Sequence, residues 1–175
     1  MAADQIDLTV VVNGVVRACR AAPEVTLAEL LRDHLGLTGT HVACNNGICG
    51  SCTVIVDDEP VRACLMLAVQ ADGSTVATIE GLATVDQDGT RRLHPLQQAF
   101  VDHGAVQCGF CIPGMIMTAK ALLDRTPRPT VDDIKHALEG NLCRCTGYVK
   151  IVEAVGAAAD ASGSRSGSRS ETHGH

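Results

Sequence analysis

Cys44, Cys49 and Cys52 stand in the order C-x4-C-x2-C, and Cys64 follows a short stretch later. A second set, Cys108-x2-Cys111 with Cys143-x-Cys145, lies wholly in the C-terminal half. Thiols at this density pair as disulfides, hold zinc, or hold iron with inorganic sulfide. The opening MAADQIDLTVVVNG lacks a basic stretch followed by an apolar one, so the chain reads as cytoplasmic, where disulfides are rare. Metal is the expected role. C-x4-C-x2-C with a fourth thiol from a nearby strand is the spacing of a plant-type 2Fe-2S site. Each such cluster takes four protein ligands, because both irons are tetrahedral and share two sulfides. Of nine cysteines the two tetrads use all but Cys19, which reads as a small buried hydrophobe in a strand. The count therefore closes on two clusters, one on Cys44, Cys49, Cys52 and Cys64, the other on Cys108, Cys111, Cys143 and Cys145. Read alone, the second set also fits a four-cysteine zinc site, whose spacing varies.

A Rieske centre would need two histidines in C-x-H-type loops, and none of the seven histidines has that spacing. His41 and His94 read instead as capping or packing residues. A cluster held by four thiolates is anionic and calls for backbone N–H groups turned toward its sulfurs. Gly47, Gly50 and Gly109 lie beside the ligands and let the chain wrap closely. Such hydrogen bonds also help set a reduction potential.

The elements that must hold these loops follow from pattern. Ile6 to Val12 is β-branched, Asn13-Gly14 is a hairpin turn, and Val15 to Cys19 resumes the apolar run. Thr26 and Glu29 form a capping box before Leu27, Leu30 and Leu31, and Gly36 stands at the helix end. Short strands are expected at Thr53 to Val56, Val61 to Leu65 and Thr75 to Ile79. Downstream the periodicity turns helical: Pro95 to His103, a helix opened by Pro113, a third capped by Thr130 and Asp133, and a fourth marked by Tyr148, Ile151, Val152 and Val155. Tyr148, Ile151 and Val152 read as bundle core. The first half is mixed α+β and the second a small helical bundle. The division predicted is 1–81, a linker at 82–92, a helical unit at 93–159, and a Gly/Ser/Arg-rich tail at 160–175 expected to be disordered.

Composition narrows the function. The chain has 175 residues, 46% of them hydrophobic but only 2% aromatic, so its core must be aliphatic and it has no room for a large substrate cavity. That core is expected to shield the second tetrad better than the first loop is shielded. A net charge of -6 with almost no aromatic residues argues against nucleic acid. No apolar run reaches the roughly 18 residues of a membrane span.

The stretches Thr40-His41-Val42-Ala43-Cys44 through Cys49-Gly50-Ser51-Cys52-Thr53-Val54, Thr78-Ile79-Glu80-Gly81-Leu82, Gln107-Cys108-Gly109-Phe110-Cys111-Ile112-Pro113-Gly114-Met115 and Gly140-Asn141-Leu142-Cys143-Arg144-Cys145-Thr146-Gly147-Tyr148 are specific. Together they resemble the small iron-sulfur subunit of molybdenum hydroxylases, a family of xanthine dehydrogenases, aldehyde oxidoreductases, aerobic carbon monoxide dehydrogenases and relatives acting on N-heterocycles and aroyl-CoA esters. The match runs from about Ile6 to Ala157. It implies an α+β fold, a plant-ferredoxin-like β-grasp domain followed by a four-helix-bundle 2Fe-2S domain. It implies partners too: a large subunit with molybdopterin and a medium subunit with FAD, assembled as a dimer of heterotrimers. The helical-domain cluster would lie near the pterin, with Gln107 and Cys145 as pterin contacts, and the N-terminal cluster would relay single electrons toward the flavin. Ala43 and Ile112 depart from the family, which often has Gly and Thr there, but neither removes a ligand. Two other readings compete: a free-standing two-cluster ferredoxin, and a zinc-stapled interaction module. The substrate is not legible in this chain.

Overall fold

The structure, a computed structural model, describes residues 5–166. β1 (Ile6–Val12) and β2 (Val15–Ala21) form the expected hairpin, with Asn13 and Gly14 at φ 51° and 78° as a primed two-residue turn requires. β1 then pairs in parallel with β5 (Thr75–Ala77), and β5 pairs antiparallel with β3 (Thr53–Val56). β4 (Glu59–Arg62) closes the mixed sheet in the order β2-β1-β5-β3-β4. α1 opens at Leu27–Glu29 under the predicted Thr26/Glu29 capping box and continues as a π-helical turn over Leu30–His34. Leu27, Leu30 and Leu31 from this helix are fully buried in one cluster with Leu8, Val10, Val54 and Val76 of the sheet. A helix laid across a mixed sheet in this way is a β-grasp.

Two strand boundaries differ from expectation. β4 covers Glu59–Arg62 rather than Val61 to Leu65, because Asp57 and Asp58, at φ 47° and 69°, reverse the chain at once and pair Val56 with Glu59. The residues after Arg62 are thereby free to turn Cys64 back toward the loop that carries Cys44. The strand from Thr75 stops at Ala77, and Ile79–Gly81 is a 3-10 turn. Cys19, expected to be buried, is only half-buried at the edge of the sheet core.

The second half packs α2 (Pro95–Asp102), α3 (Ile112–Arg125), α4 (Val131–Leu138) and α5 (Val149–Ser166) around Leu96, Phe100, Met115, Ile134, Leu138 and Ile151. Thr130 and Asp133 form the predicted capping box of α4. The stretch expected as a linker contains a small hairpin, Thr84–Val85 (β6) against Arg91–Arg92 (β7), closed by the Asp86 to Thr90 turn. α5 continues through Ser166, so its end falls inside the span 160–175 expected as a tail, and residues 167–175 lie outside the described ones. The halves meet where Met117 and Ala121 of α3 cover Ile55 of β3. With helices on both faces, all four residues of β3 are buried, which explains its unbroken apolar run.

His94 caps α2: its Nδ1 accepts from the Leu96 N–H at 3.2 Å, which requires a neutral ring. Burial, with the charge of Lys120 adding to it and that of Asp124 opposing, holds the imidazole below its ordinary 6.5. A folded value below the unfolded one means that the contribution is complete above about pH 6.5 and is lost as pH falls through the lower folded value. His94→Ala should cost about 1 kcal/mol at neutral pH. The gap between the thermal melting curves of variant and wild type should close in mild acid, and a gap independent of pH would refute the cap.

Candidate metal centres

The first four thiols sit on a loop without helix or strand, residues 38–52, and on the turn after β4. Gly47 (φ 80°) and Gly50 (φ 72°) bend that loop through conformations that L residues rarely adopt. A Cβ on Gly47 would overlap the Leu65 side chain, so the loop is held close against the turn that carries Cys64. Cys49 donates its backbone N–H to Cys44 Sγ at 3.4 Å. The N–H of Asn46 leads the backbone bonds, shared with Cys49 and Ile48, that pull the Cys44 thiol down to about 6. Cys52 hydrogen-bonds Cys64, and burial pushes its thiol up to about 11.

The second four behave alike. Cys145 Sγ lies 3.5 Å from Cys108 Sγ, and that contact raises the Cys145 thiol. Cys111 contacts Cys143 and is pushed up to about 12, first by burial and then by that neighbour. Burial works against the Cys143 thiolate, but the hydroxyl and N–H of Thr146, at 3.2 and 3.4 Å, outweigh it and hold the thiol low.

The eight cysteines singled out by spacing thus come together in two groups, each made of two touching pairs: Cys44 with Cys49 and Cys52 with Cys64, then Cys108 with Cys145 and Cys111 with Cys143. All nine cysteines are free thiols, and Cys19 belongs to neither group. A single tetrahedral ion needs its ligands converging on one point, whereas a two-iron cluster takes one pair of thiolates per iron. Among the described residues no three His, Cys, Asp or Glu side chains converge to hold a single ion. The donor set fits two 2Fe-2S clusters better than two zinc ions. Contrary to expectation, the second group is the more open one: Cys108 and Cys145 are exposed, as is Gln107 beside them, while Cys52 and Cys64 are buried.

Two residues position these loops: Tyr148, whose role escaped the sequence reading, and His41, a packing residue as expected. Tyr148, expected in the core, is half-buried at φ 69°, and its hydroxyl accepts from the Cys143 N–H at 2.7 Å while donating to the Asn141 carbonyl at 3.1 Å. From the far side of the C-R-C loop, its hydroxyl clasps the loop's N-terminal end. Tyr148→Phe should leave that N–H unpaired, cost about 2 kcal/mol, and loosen the second group alone. Visible circular dichroism resolved between the two centres measures this, and equal disturbance of both would argue against the clasp. His41 stacks on Phe110 at 4.7 Å and donates from Nδ1 to the Phe110 carbonyl at 2.7 Å, tying the first loop to the second. A lone tyrosine just after Thr146-Gly147 was the one sequence signal available.

Two family signatures match the chain, a 2Fe-2S iron-sulfur cluster binding domain over residues 10–83 and a [2Fe-2S] binding domain over residues 78–156. The nicotinate dehydrogenase small FeS subunit of Eubacterium barkeri is 51% identical over 152 residues, covering 87% of this chain and 94% of that protein. The chain belongs to the small iron-sulfur subunits of the molybdenum hydroxylase family. Solved structures agree: quinoline 2-oxidoreductase from Pseudomonas putida 86 matches with TM-score 0.85 and 42% identity over 93% of this chain and 98% of that chain. Aldehyde oxidoreductase from Desulfovibrio gigas matches with TM-score 0.84 and 42% identity over 91% of this chain and 17% of that longer one. The small subunit is an electron-transfer component of an oxidoreductase complex, and a free-standing carrier is not favoured. Among the described residues no helix is long and apolar enough to cross a membrane.

Proposed function

We propose that the eight thiols hold two 2Fe-2S clusters, and that the chain carries single electrons from molybdopterin on a large partner subunit to FAD on a medium one. The observation that carries this reading is the grouping of the thiols as four touching pairs in two nests. When bound, each cluster accepts and releases one electron at a time. Cys44, Cys49, Cys52 and Cys64 bind the first, and Cys108, Cys111, Cys143 and Cys145 the second. Gln107 and Cys145 lie at the open side of the second nest, where Gln107 would donate a hydrogen bond to the pterin and Cys145 would touch it. The small subunit works in the cytoplasm, within a dimer of heterotrimers, with its ferredoxin-like unit over 1–81 and its helical unit from 93. Relatives matched over about nine-tenths or more of their length include ones named for nicotinate, quinoline and caffeine, so an N-heteroaromatic ring is the substrate class we assign to the complex.

The test is native purification from the source cells with no added metal. Co-purification of a large subunit bearing molybdopterin and a medium subunit bearing FAD, with iron and acid-labile sulfide in equal amounts, is the expected result. A colourless protein containing zinc, or a native monomer, would overturn the assignment.

A further inference from the structure

The two thiol nests are joined through the backbone. The N–H of Leu142, the residue before Cys143, donates to the carbonyl of Cys49 at 2.9 Å. From Cys49 Sγ to Cys143 Sγ the route is two side chains, this hydrogen bond and the peptide unit between Leu142 and Cys143. Asn141 stands next to it and is only 1% exposed. Its Nδ2 donates to the Gly50 carbonyl at 3.0 Å, and its Oδ1 accepts from the Thr118 hydroxyl, itself 6% exposed, at 2.9 Å. The amide can face only this way, because a carbonyl oxygen accepts and never donates. The rest of Asn141 is fixed too: its N–H donates to Leu138 and its carbonyl accepts from the Tyr148 hydroxyl.

The surroundings leave no slack. A Cβ on Gly50 would overlap the Gly140 carbonyl and come within 2.7 Å of Asn141 Nδ2. Arg62 of β4 donates to Gly140 at 2.7 Å and to the Thr53 hydroxyl at 2.6 Å, and that hydroxyl donates in turn to the Gly50 carbonyl at 2.6 Å. Elsewhere the halves meet through Ile55, Met117 and Ala121, and an apolar residue at 141 could fill the same space without the desolvation that a buried amide costs. What an amide adds is direction: it fixes the residue after Cys49 and the residue before Leu142 against a common anchor, Thr118.

We propose that Asn141, oriented by Thr118, is the positioning residue that holds Cys49 against Leu142 and so sets electron exchange between the two centres. The proposal rests on the 2Fe-2S reading given above. One electron crosses this link, leaving one centre oxidised and the other reduced; no bond forms or breaks and no proton moves.

The experiment uses the assembled complex carrying wild-type chain, Asn141→Leu, Asn141→Asp, Thr118→Val or Thr118→Ser. Iron and acid-labile sulfide are assayed, the EPR signal of each centre is recorded, and so is the magnetic splitting between the centres when both are reduced. The rate at which an electron injected at one centre redistributes to the other is then followed by rapid freezing. The expected result is that Asn141→Leu, Asn141→Asp and Thr118→Val keep both signals and full iron but lose the wild-type splitting, with redistribution about tenfold slower. Thr118→Ser, which retains the hydroxyl, should match wild type. If Asn141→Leu does not assemble, Thr118→Val, which removes one hydroxyl at constant shape, decides alone. Wild-type splitting and rate in Thr118→Val would overturn the proposal, as would loss of iron in step with any change of rate. Absence of two cluster signals from the wild-type complex would instead sink the 2Fe-2S reading.

Discussion

Gly114→Ala should lower stability by about 3 kcal/mol, although alanine is the better helix former. Gly114 lies in the first turn of α3. In an open helix the exchange would gain up to about 1 kcal/mol. Here the added methyl would overlap the Gly50 carbonyl oxygen and lie 2.9 Å from that of Ser51. Both obstacles are backbone, and the Gly50 carbonyl is pinned by Thr53 and Asn141, so relief requires α3 to move away from the loop that carries Cys49. Gly156→Ala on α5 is the control: its methyl would meet only Ile134 Cδ1, at 3.9 Å, and should stabilise by about 0.5 to 1 kcal/mol. Denaturant midpoints of the two variants against wild type read this directly, and a stabilised Gly114→Ala would show that the halves are not in tight contact.

Removing one thiol should remove one centre and spare the other. Cys49→Ser is expected to abolish the first signal and Cys145→Ser the second, each with about half the iron lost, whereas Cys19→Ser should leave both spectra unchanged. The contrast follows from placement: Cys49 and Cys145 each touch a second thiol, while Cys19 packs at the edge of the sheet core and its Sγ donates to the Arg17 carbonyl, at 3.7 Å. Serine keeps the size but offers iron a harder, less acidic ligand. Metal binding is coupled to folding, so stripped protein should lose amide protection first over residues 40–52, which have no helix or strand of their own. EPR of the reduced variants and hydrogen exchange of stripped protein test the two halves of this expectation. A signal lost in Cys19→Ser would break the ligand count.

What was legible in the sequence is what the chain decides locally. The Asn13-Gly14 hairpin, the Thr26/Glu29 and Thr130/Asp133 capping boxes and the α3 start at Pro113 each depend on residues a few positions apart, and each is where pattern placed it. The grouping of the eight thiols was legible because ligand chemistry demands a count and a spacing. The π-helical continuation of α1 was not, since it answers to packing under the sheet. Nor was the small hairpin within 82–92, where polar side chains hid a backbone that still pairs with itself. The place of Asn141 between the loops was hidden for a different reason: its partners Thr118 and Gly50 lie 23 and 91 positions away, and no local rule reaches so far.

The open side of the second nest has a consequence for the energetics of the whole assembly. Cys108 and Cys145 face outward, so the polarity around them belongs to whatever surface is laid on top. Solvent access and nearby dipoles shift the midpoint of an iron-sulfur couple over hundreds of millivolts. On the function proposed above, the driving force of electron transfer through this nest would be written partly in the neighbouring polypeptide, and an identical small chain seated beside two different large ones would operate at two different voltages.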